Sequence, residues 1–596
     1  MKLIYGLLHA TMILTHGFYL LAQENPLYAY LPSDAKAIIN FNLPSLASKM
    51  KWQELQQLSF FEEALKDAPL YMQELLKDPA STGINYQSDF FIVLLPDPKN
   101  KTKSTPILYG RLADAAKFAA AIQKISPKQK INSVGKLKIM AGPKSVFAWT
   151  SGMFVVPMSG DKSLYPPLSK PEKSVQNTKE VAGQTSQLIK QGQLLLTPVT
   201  NPIANDSRFI DLTKEDGDIR FWLNRNMEKP KEKGNKKDDV LKMMNWGIMQ
   251  QGNYMAGVLR FENGKTVMQM KSYMNKTMDS LYRLYPATKL NSGLLKKLPA
   301  GQPIALLSFS MSPQMLGAMM KASGTEKIID SLSKKSSIKP MEVAEGLNGD
   351  LTLAVIRTND YDEKDTVTAA LHGLQIFLAA SVANKSKLEP MLNLLQKPKE
   401  IKPDEEGNEI KSAGPFAGLK PALLLNDSFF VVSLSSFAAE NFLNTVGDND
   451  IAALANPYTS HASLFSLDLK AILNFAMQIS KKKNRTDDAQ GASKMFDAFD
   501  RIVFYGGKYE NGASLNTAEL QFSNKEENSL KQFIKMMEMA VNMGMKTKRM
   551  QRAPHDDTIT PPGIKELDKT KIDMEPVTDK PVPPPPPKPK SKIKKD

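Results

Sequence analysis

Residues 37–50 read AIINFNLPSLASKM: a short β-branched run, a turn through Asn42 and Pro44, then the start of a helix. Alternation divides the strand into two faces. Ile38, Asn40 and Asn42 share one; Ile39, Phe41 and Leu43 share the other, and this apolar second face is the expected core face. Pro44 suits the first helical turn, where its missing N–H costs nothing. The pattern recurs at 305–319, ALLSFSMSPQMLGAM, with Ser308, Phe309 and Ser310 in the places of Asn40, Phe41 and Asn42. It recurs in part from Ser463, SLFSLDLKAILNFAM, and more weakly at 219–224, IRFWLN.

Further matches follow in the same order. Asp89 precedes FFIVLL as Asp350 precedes LTLAVI, with Asp500 before IVFYG as a third echo. An amphipathic helix pattern at 112–125 is answered at 388–395. FAWTSGMFVVPMS at 147–159 is answered by LLLNDSFFVVSLS at 423–435, which pairs Phe154-Val155-Val156 with Phe430-Val431-Val432. Ordered matches that drift only through loop length point to an internal duplication. Strands are also expected at 105–109, 137–141, 146–150 and 153–158, and 254–273 forms a hairpin across Asn263-Gly264, a dipeptide whose backbone suits the tight turn. Helices inserted among hairpin-linked strands argue an α+β fold class. The expectation is two homologous lobes, 26–290 and 291–545, each a mainly antiparallel sheet with helices packed on one face. The Asn and Ser faces of the opening strands would then meet water.

The lead LPSDAKAIINFNLPSLASKM, the stretch DPASTGINYQSDFFIVL and the strand GDLTLAVI resemble the Bacteroidetes proteins grouped as domain-of-unknown-function family 4836, across most of 27–545. The resemblance implies an envelope location in a Gram-negative bacterium and implies no activity. Many members of that family look like lipoproteins. This chain has no cysteine, so a lipid anchor on an N-terminal Cys is excluded, as are disulfides, thiolate metal sites and a Cys nucleophile.

At 596 residues the chain exceeds one ordinary core. The formal net charge of +16 is spread over loops, helix faces and tail, which reads as a solvated surface with excess Lys. Residues 1–22, MKLIYGLLHATMILTHGFYLLA, fit a secretory signal cut between Ala22 and Gln23. His9, Thr15 and His16 make it a poor permanent span, and no later stretch reaches membrane length. The expected location is the periplasm or the outer-membrane periphery, away from nucleic acid. Residues 546–596 carry Pro583–Pro587 and then Lys588, Lys590, Lys592, Lys594 and Lys595. This composition cannot bury enough to fold and favours an extended, disordered spacer. Its lysine tip suits an anionic envelope polymer; the competing reading is an inert solubilising tail.

Chemistry is sparse. His372, His461 and His555 lack a second His at metal-ligand spacing. Ser159-x-x-Lys162 and Ser331-x-x-Lys334 match a Ser-Lys pattern without its partner motifs. The acids at 360–365 and 404–406 lack the spacing of a calcium loop. Trp52, Trp149, Trp222 and Trp246 are scattered as core residues are. No catalytic, cofactor or metal residues are therefore assigned. The sequence reads as a non-enzymatic binding or structural protein of the envelope, its partner a protein or glycan. The alternative is a hydrolase of an envelope polymer, with an unmarked site between the lobes. The Asn40/Asn42 and Ser308/Ser310 faces are the candidate lining of a glycan groove, against a plain exposed sheet face.

Overall fold

The computed structural model describes, isolated positions apart, residues 25–59, 77–96, 104–141, 146–157, 192–224, 252–323, 340–358, 373–396, 422–444, 449–472 and 497–552. The signal segment with Ala22 and Gln23, the charged loop 229–239, the two acidic loops, both Ser-Lys pairs, Trp246, His372 and His555 lie outside them. The chain divides into two units, residues 1–544 and 545–596. The first carries the whole sheet.

The strands are β1 (Ala37–Phe41), β2 (Phe90–Pro96), β3 (Ser104–Arg111), β4 (Ile131–Val134), β5 (Leu137–Ala141), β6 (Val146–Trp149), β7 (Met153–Pro157), β8 (Ile219–Asn224), β9 (Tyr254–Glu262) and β10 (Lys265–Tyr273). The later ones are β11 (Gln302–Ser310), β12 (Leu347–Arg357), β13 (Leu374–Val382), β14 (Ala422–Leu425), β15 (Phe429–Ser433), β16 (Ser463–Asp468), β17 (Phe499–Glu510) and β18 (Ala513–Phe522). Every pairing between them is antiparallel. In space the N-terminal half runs β4-β5-β6-β7-β3-β2-β1-β8-β9-β10. The C-terminal half continues it as β18-β17-β16-β11-β12-β13-β15-β14. The seam between the halves is β10 against β18, centred on Gln269 opposite Thr517. The protein is thus α+β with one large antiparallel sheet, and two hairpins meet at its middle. The β9–β10 turn uses Gly264 at φ 68°, and the β17–β18 turn uses Asn511 at φ 51° with Gly512 at φ 75°, both backbone shapes that tight hairpins need.

Helices cover both faces, not one. Ser207–Lys214 places Phe209 and Leu212 on the face that holds Ile38, Phe91, Val93 and Trp222. On the same face of the C-terminal half, Ser436–Asn444 and Asp450–Ala455 cover Leu306, Phe377 and Val431 with Phe442 and Ile451. On the opposite face, Ala115–Ile125 packs Phe118 on Phe154 and Trp149. Its start is set by Asp114, whose carboxylate accepts from the N–H groups of Ala116 and Lys117. The last helix of the described residues is Ser529–Arg552.

The opening strands reverse the expected burial. Ile38 and Asn40 are buried, Asn40 at 5% exposure, whereas Ile39 and Phe41 are half-buried. In β11, Leu306, Ser308 and Ser310 are buried, Phe309 is half-buried and Leu307 is exposed. The polar face is tolerated inside because neighbouring elements satisfy most of it, with Asn40 Nδ2 left without a partner among the described residues. Arg220 donates to Asn40 at 3.1 Å, Ser308 bonds Thr352 at 2.9 Å, and Ser310 donates to Asp350 at 2.5 Å. Arg501 likewise joins Ser466 and Asp468. With helices on both faces, alternation no longer tells core from solvent.

Candidate functional site

On the second face, where Phe41 and Phe90 sit opposite each other, lies an apolar cavity of about 580 Å³. Among the described residues its walls are Leu43, Leu46, Ala47 and Met50, then Trp52 and Leu55, then Tyr86 and Phe90, and finally Leu530 and Ile534. Gln53, Gln56, Lys77 and Asp78 form its polar border.

The first wall is the helix Leu43–Lys49. Asn42 caps it: its Oδ1 accepts from Ser45 N at 3.1 Å and its Nδ2 donates to Gly217 O at 3.3 Å. Asp218, fully buried, accepts from Ser45 Oγ at 2.5 Å, from Phe261 N at 2.6 Å and from the Lys49 ammonium. The helix is thereby pinned to the β8–β9 end of the sheet. The next wall, Trp52–Gln56, is held by Trp52 edge-on to Phe61 at 5.6 Å and by Gln56 Nε2 donating to Lys77 O at 2.9 Å.

The last wall comes from the far end of the chain. Ser529–Arg552 follows β18 and starts at Asn528, which caps Leu530 N and donates to Phe261 O at 2.9 Å. Ser529 Oγ bonds Thr266 Oγ1 at 3.0 Å, Lys531 pairs with Glu54 at 2.8 Å, and Glu538 accepts from Ser59 N at 2.7 Å. Leu530 and Ile534 face the cavity, while Phe533, Met537 and Val541, spaced four apart, are exposed beside it.

No lining side chain belongs to the buried polar atoms left without a partner. Tyr86 has a raised hydroxyl pKa, chiefly through burial, and so stays neutral. The described residues contain no cluster of His, Asp or Glu able to hold a metal ion. Such a lining offers dispersion and apolar burial, not proton transfer or charge stabilisation.

Other sequence candidates fall elsewhere. Asn40, Ser308 and Ser310 are buried with internal bonds, and Asn42 is a helix cap; Ser310 also borders a small cavity beside Phe309 and Met311, and Asn40 a still smaller one beside Trp222. His461 rests against Tyr505, with its pKa lowered by burial and then by Lys508. Trp149 and Trp222 are fully buried core residues, while Trp52 belongs to the cavity. The cavity itself escapes sequence reading, because its walls come from opposite ends of the chain. The nearest signal in the sequence is the Met-rich apolar side of 535–545; there Met536 is buried but Met537 is exposed.

No family model and no curated protein matches the chain. Among solved structures, crystal form III of TP0453 is 10% identical over 45% of this chain and 90% of that one, with a TM-score of 0.23. Crystal form I of the same protein is 7% identical over 45% and 89%, with a TM-score of 0.22. Scores this low carry no argument about fold or function. Among the described residues, no helix is long and apolar enough to cross a membrane.

Proposed function

We propose that the protein is a non-enzymatic binding module of the cell envelope that holds an aliphatic chain in the cavity between Leu46 and Ile534. The supporting observation is an apolar lining with no unpartnered buried polar atom, which favours a ligand recognised without hydrogen bonds. The volume of about 580 Å³ lies in the range of small-molecule sites, roughly 300–1,000 Å³. At about 0.8 kcal/mol per buried methylene, some ten buried methylenes correspond to roughly micromolar affinity. Export rests on the leader 1–22, and envelope location also on the resemblance to family 4836.

The body reads as a duplicated α+β unit. The pairing order β6-β7-β3-β2-β1-β8-β9-β10 is repeated as β14-β15-β13-β12-β11-β16-β17-β18. Phe41 lies between Phe90 and Ile219, and Phe309 lies between Leu351 and Ser463. The lysine tip of the tail remains a candidate contact for an anionic polymer.

Titration calorimetry with hexadecanoate tests the ligand reading, and an arm with phosphatidylglycerol vesicles separates a free acid from a membrane source. Ala47→Phe fills the cavity and should lower affinity at least tenfold. A wild-type protein that binds neither probe, or a filled variant that binds as before, rejects the reading.

A further inference from the structure

The place in the C-terminal half that answers the first cavity is an opening of about 780 Å³, and its chemistry is different. Each lies beside the helix that follows an opening strand, β1 or β11. In the N-terminal half that helix and its end contribute Leu43, Leu46, Ala47 and Met50. In the C-terminal half the helix Pro313–Ser323 contributes Gln314, Gly317, Ala318 and Lys321, and the entry to β12 adds Glu345 and Asn348. Tyr285 and Ser312 border this opening and also a smaller one of about 260 Å³, so the two adjoin. The smaller one combines apolar Phe309, Met311 and Met315 with polar Ser463, Ser514 and Asn516.

Many of these polar groups are available to a ligand. Asn516 Nδ2 donates to Ser514 Oγ at 3.3 Å, which leaves the Asn516 Oδ1 as an acceptor. Ser312 Oγ accepts from Met315 N at 3.1 Å and keeps its O–H to donate. Among the described residues, the side chains of Gln314, Lys321, Asn348 and Ser463 have no hydrogen bond or ion pair, and the Tyr285 ring has no aromatic neighbour. Glu345 is paired with Lys387. An aliphatic chain would leave these hydroxyls and amides without partners. Lys321 is the sole cation of the described lining, too little for a phosphate-rich ligand. Hydroxyls and amides around one open aromatic ring match a sugar, which presents hydroxyls at its edge and an apolar C–H face.

We propose that the joined openings bind a glycan that contains N-acetylhexosamine. An acetamido group has an apolar methyl beside an N–H and a C=O. The smaller opening offers Phe309 and Met315 to the methyl, and Asn516 and Ser463 to the amide. Tyr285 offers its ring to a pyranose face, and Gln314 and Asn348 offer hydrogen bonds to the hydroxyls of the next sugar. The proposal is independent of an aliphatic ligand in the first cavity.

Calorimetric titration of the full chain with chitotetraose gives the readout, and cellotetraose, the same linkage without acetamido groups, is the comparison. Chitotetraose should bind, and cellotetraose should bind at least about tenfold more weakly, since it forgoes the amide hydrogen bonds. Gln314→Ala with Asn348→Ala should weaken chitotetraose by about tenfold, and Tyr285→Ala by as much. Circular dichroism verifies folding, and the exposed Gln314 and Asn348 cover a Tyr285 variant that fails to fold. Ala47→Phe should leave the sugar affinity unchanged. No binding of chitotetraose, equal binding of the two sugars, or a double variant that binds as wild type does overturns the proposal. Sugar binding without hexadecanoate binding removes only the reading of the first cavity; the reverse removes only this one.

Discussion

Replacing Asp218 by alanine should loosen the whole first wall of the cavity. Its carboxylate is fully buried and accepts from Ser45 Oγ, Phe261 N and the Lys49 ammonium. Alanine strands a backbone N–H and a cation whose side chain is only 23% exposed. Breaking a buried pair costs about 3–5 kcal/mol, and the residual access of Lys49 to water selects the lower end, about 3 kcal/mol. That is about two decades in the unfolding equilibrium. Asn at 218 keeps an acceptor but loses the charge, and should cost about 1.5–3 kcal/mol. Adding Lys49→Met to Asp218→Ala removes the stranded cation, so the double variant should be less destabilised than the sum of the two single changes. Urea unfolding followed by tryptophan fluorescence measures wild type, the three single variants and the double variant. An alanine variant within about 0.5 kcal/mol of wild type, the scatter of ordinary surface changes, would refute the reasoning, as would strict additivity.

The two central hairpins should respond unequally to alanine. Gly512 has φ 75° with nothing closer than 4.0 Å to a built Cβ, so alanine costs about 1–2 kcal/mol of left-handed strain. At Gly264 the Cβ would also lie 2.6 Å from Lys525 Cα, raising the loss to about 3 kcal/mol; equal losses in urea unfolding would contradict this. The hydrogen bond that Tyr509 donates to Asp279 Oδ1 at 2.5 Å should be acid-sensitive. The bond from Tyr509, then that from Arg283, hold the Asp279 carboxyl below the usual carboxylate range. Its folded-state pKa is depressed, so the stabilisation is present above the ordinary Asp value of about 4 and is lost as pH falls through the depressed one. The melting temperature of wild type should exceed that of Tyr509→Phe by a constant margin near neutrality, and the margin should shrink below about pH 4. A margin independent of pH would show that the Asp279 carboxylate does not hold Tyr509.

Much of the secondary structure follows from local chemistry. The strands expected at 90–95, at 153–158 and from 305 announce themselves by apolar and aromatic runs between turn residues, and the third begins three residues earlier, at Gln302. Asn263-Gly264 marks its hairpin, and the helix expected at 112–125 is present from Ala115, after the Asp114 cap. The absence of cysteine excludes disulfides whatever the fold. The edge strand β4 was not legible: INSV is a short, largely exposed run with no apolar face of its own.

Tertiary structure alone decided which face of each strand is inside. Alternation separates Asn40 from Phe41 and Ser308 from Phe309, but burial depends on what arrives above and below. Ser308 becomes a core residue only because Thr352 stands beside it on the next strand, and Asn40 because Arg220 does. Tertiary structure also joined the halves through β10 and β18 and built the cavity from residues 43–55, 86–90 and 530–534. Local sequence determines what a segment can become, since hydrogen bonding and side-chain period act over a few residues. A packed face or a cavity is a relation between distant segments, and its energy exists only once they meet.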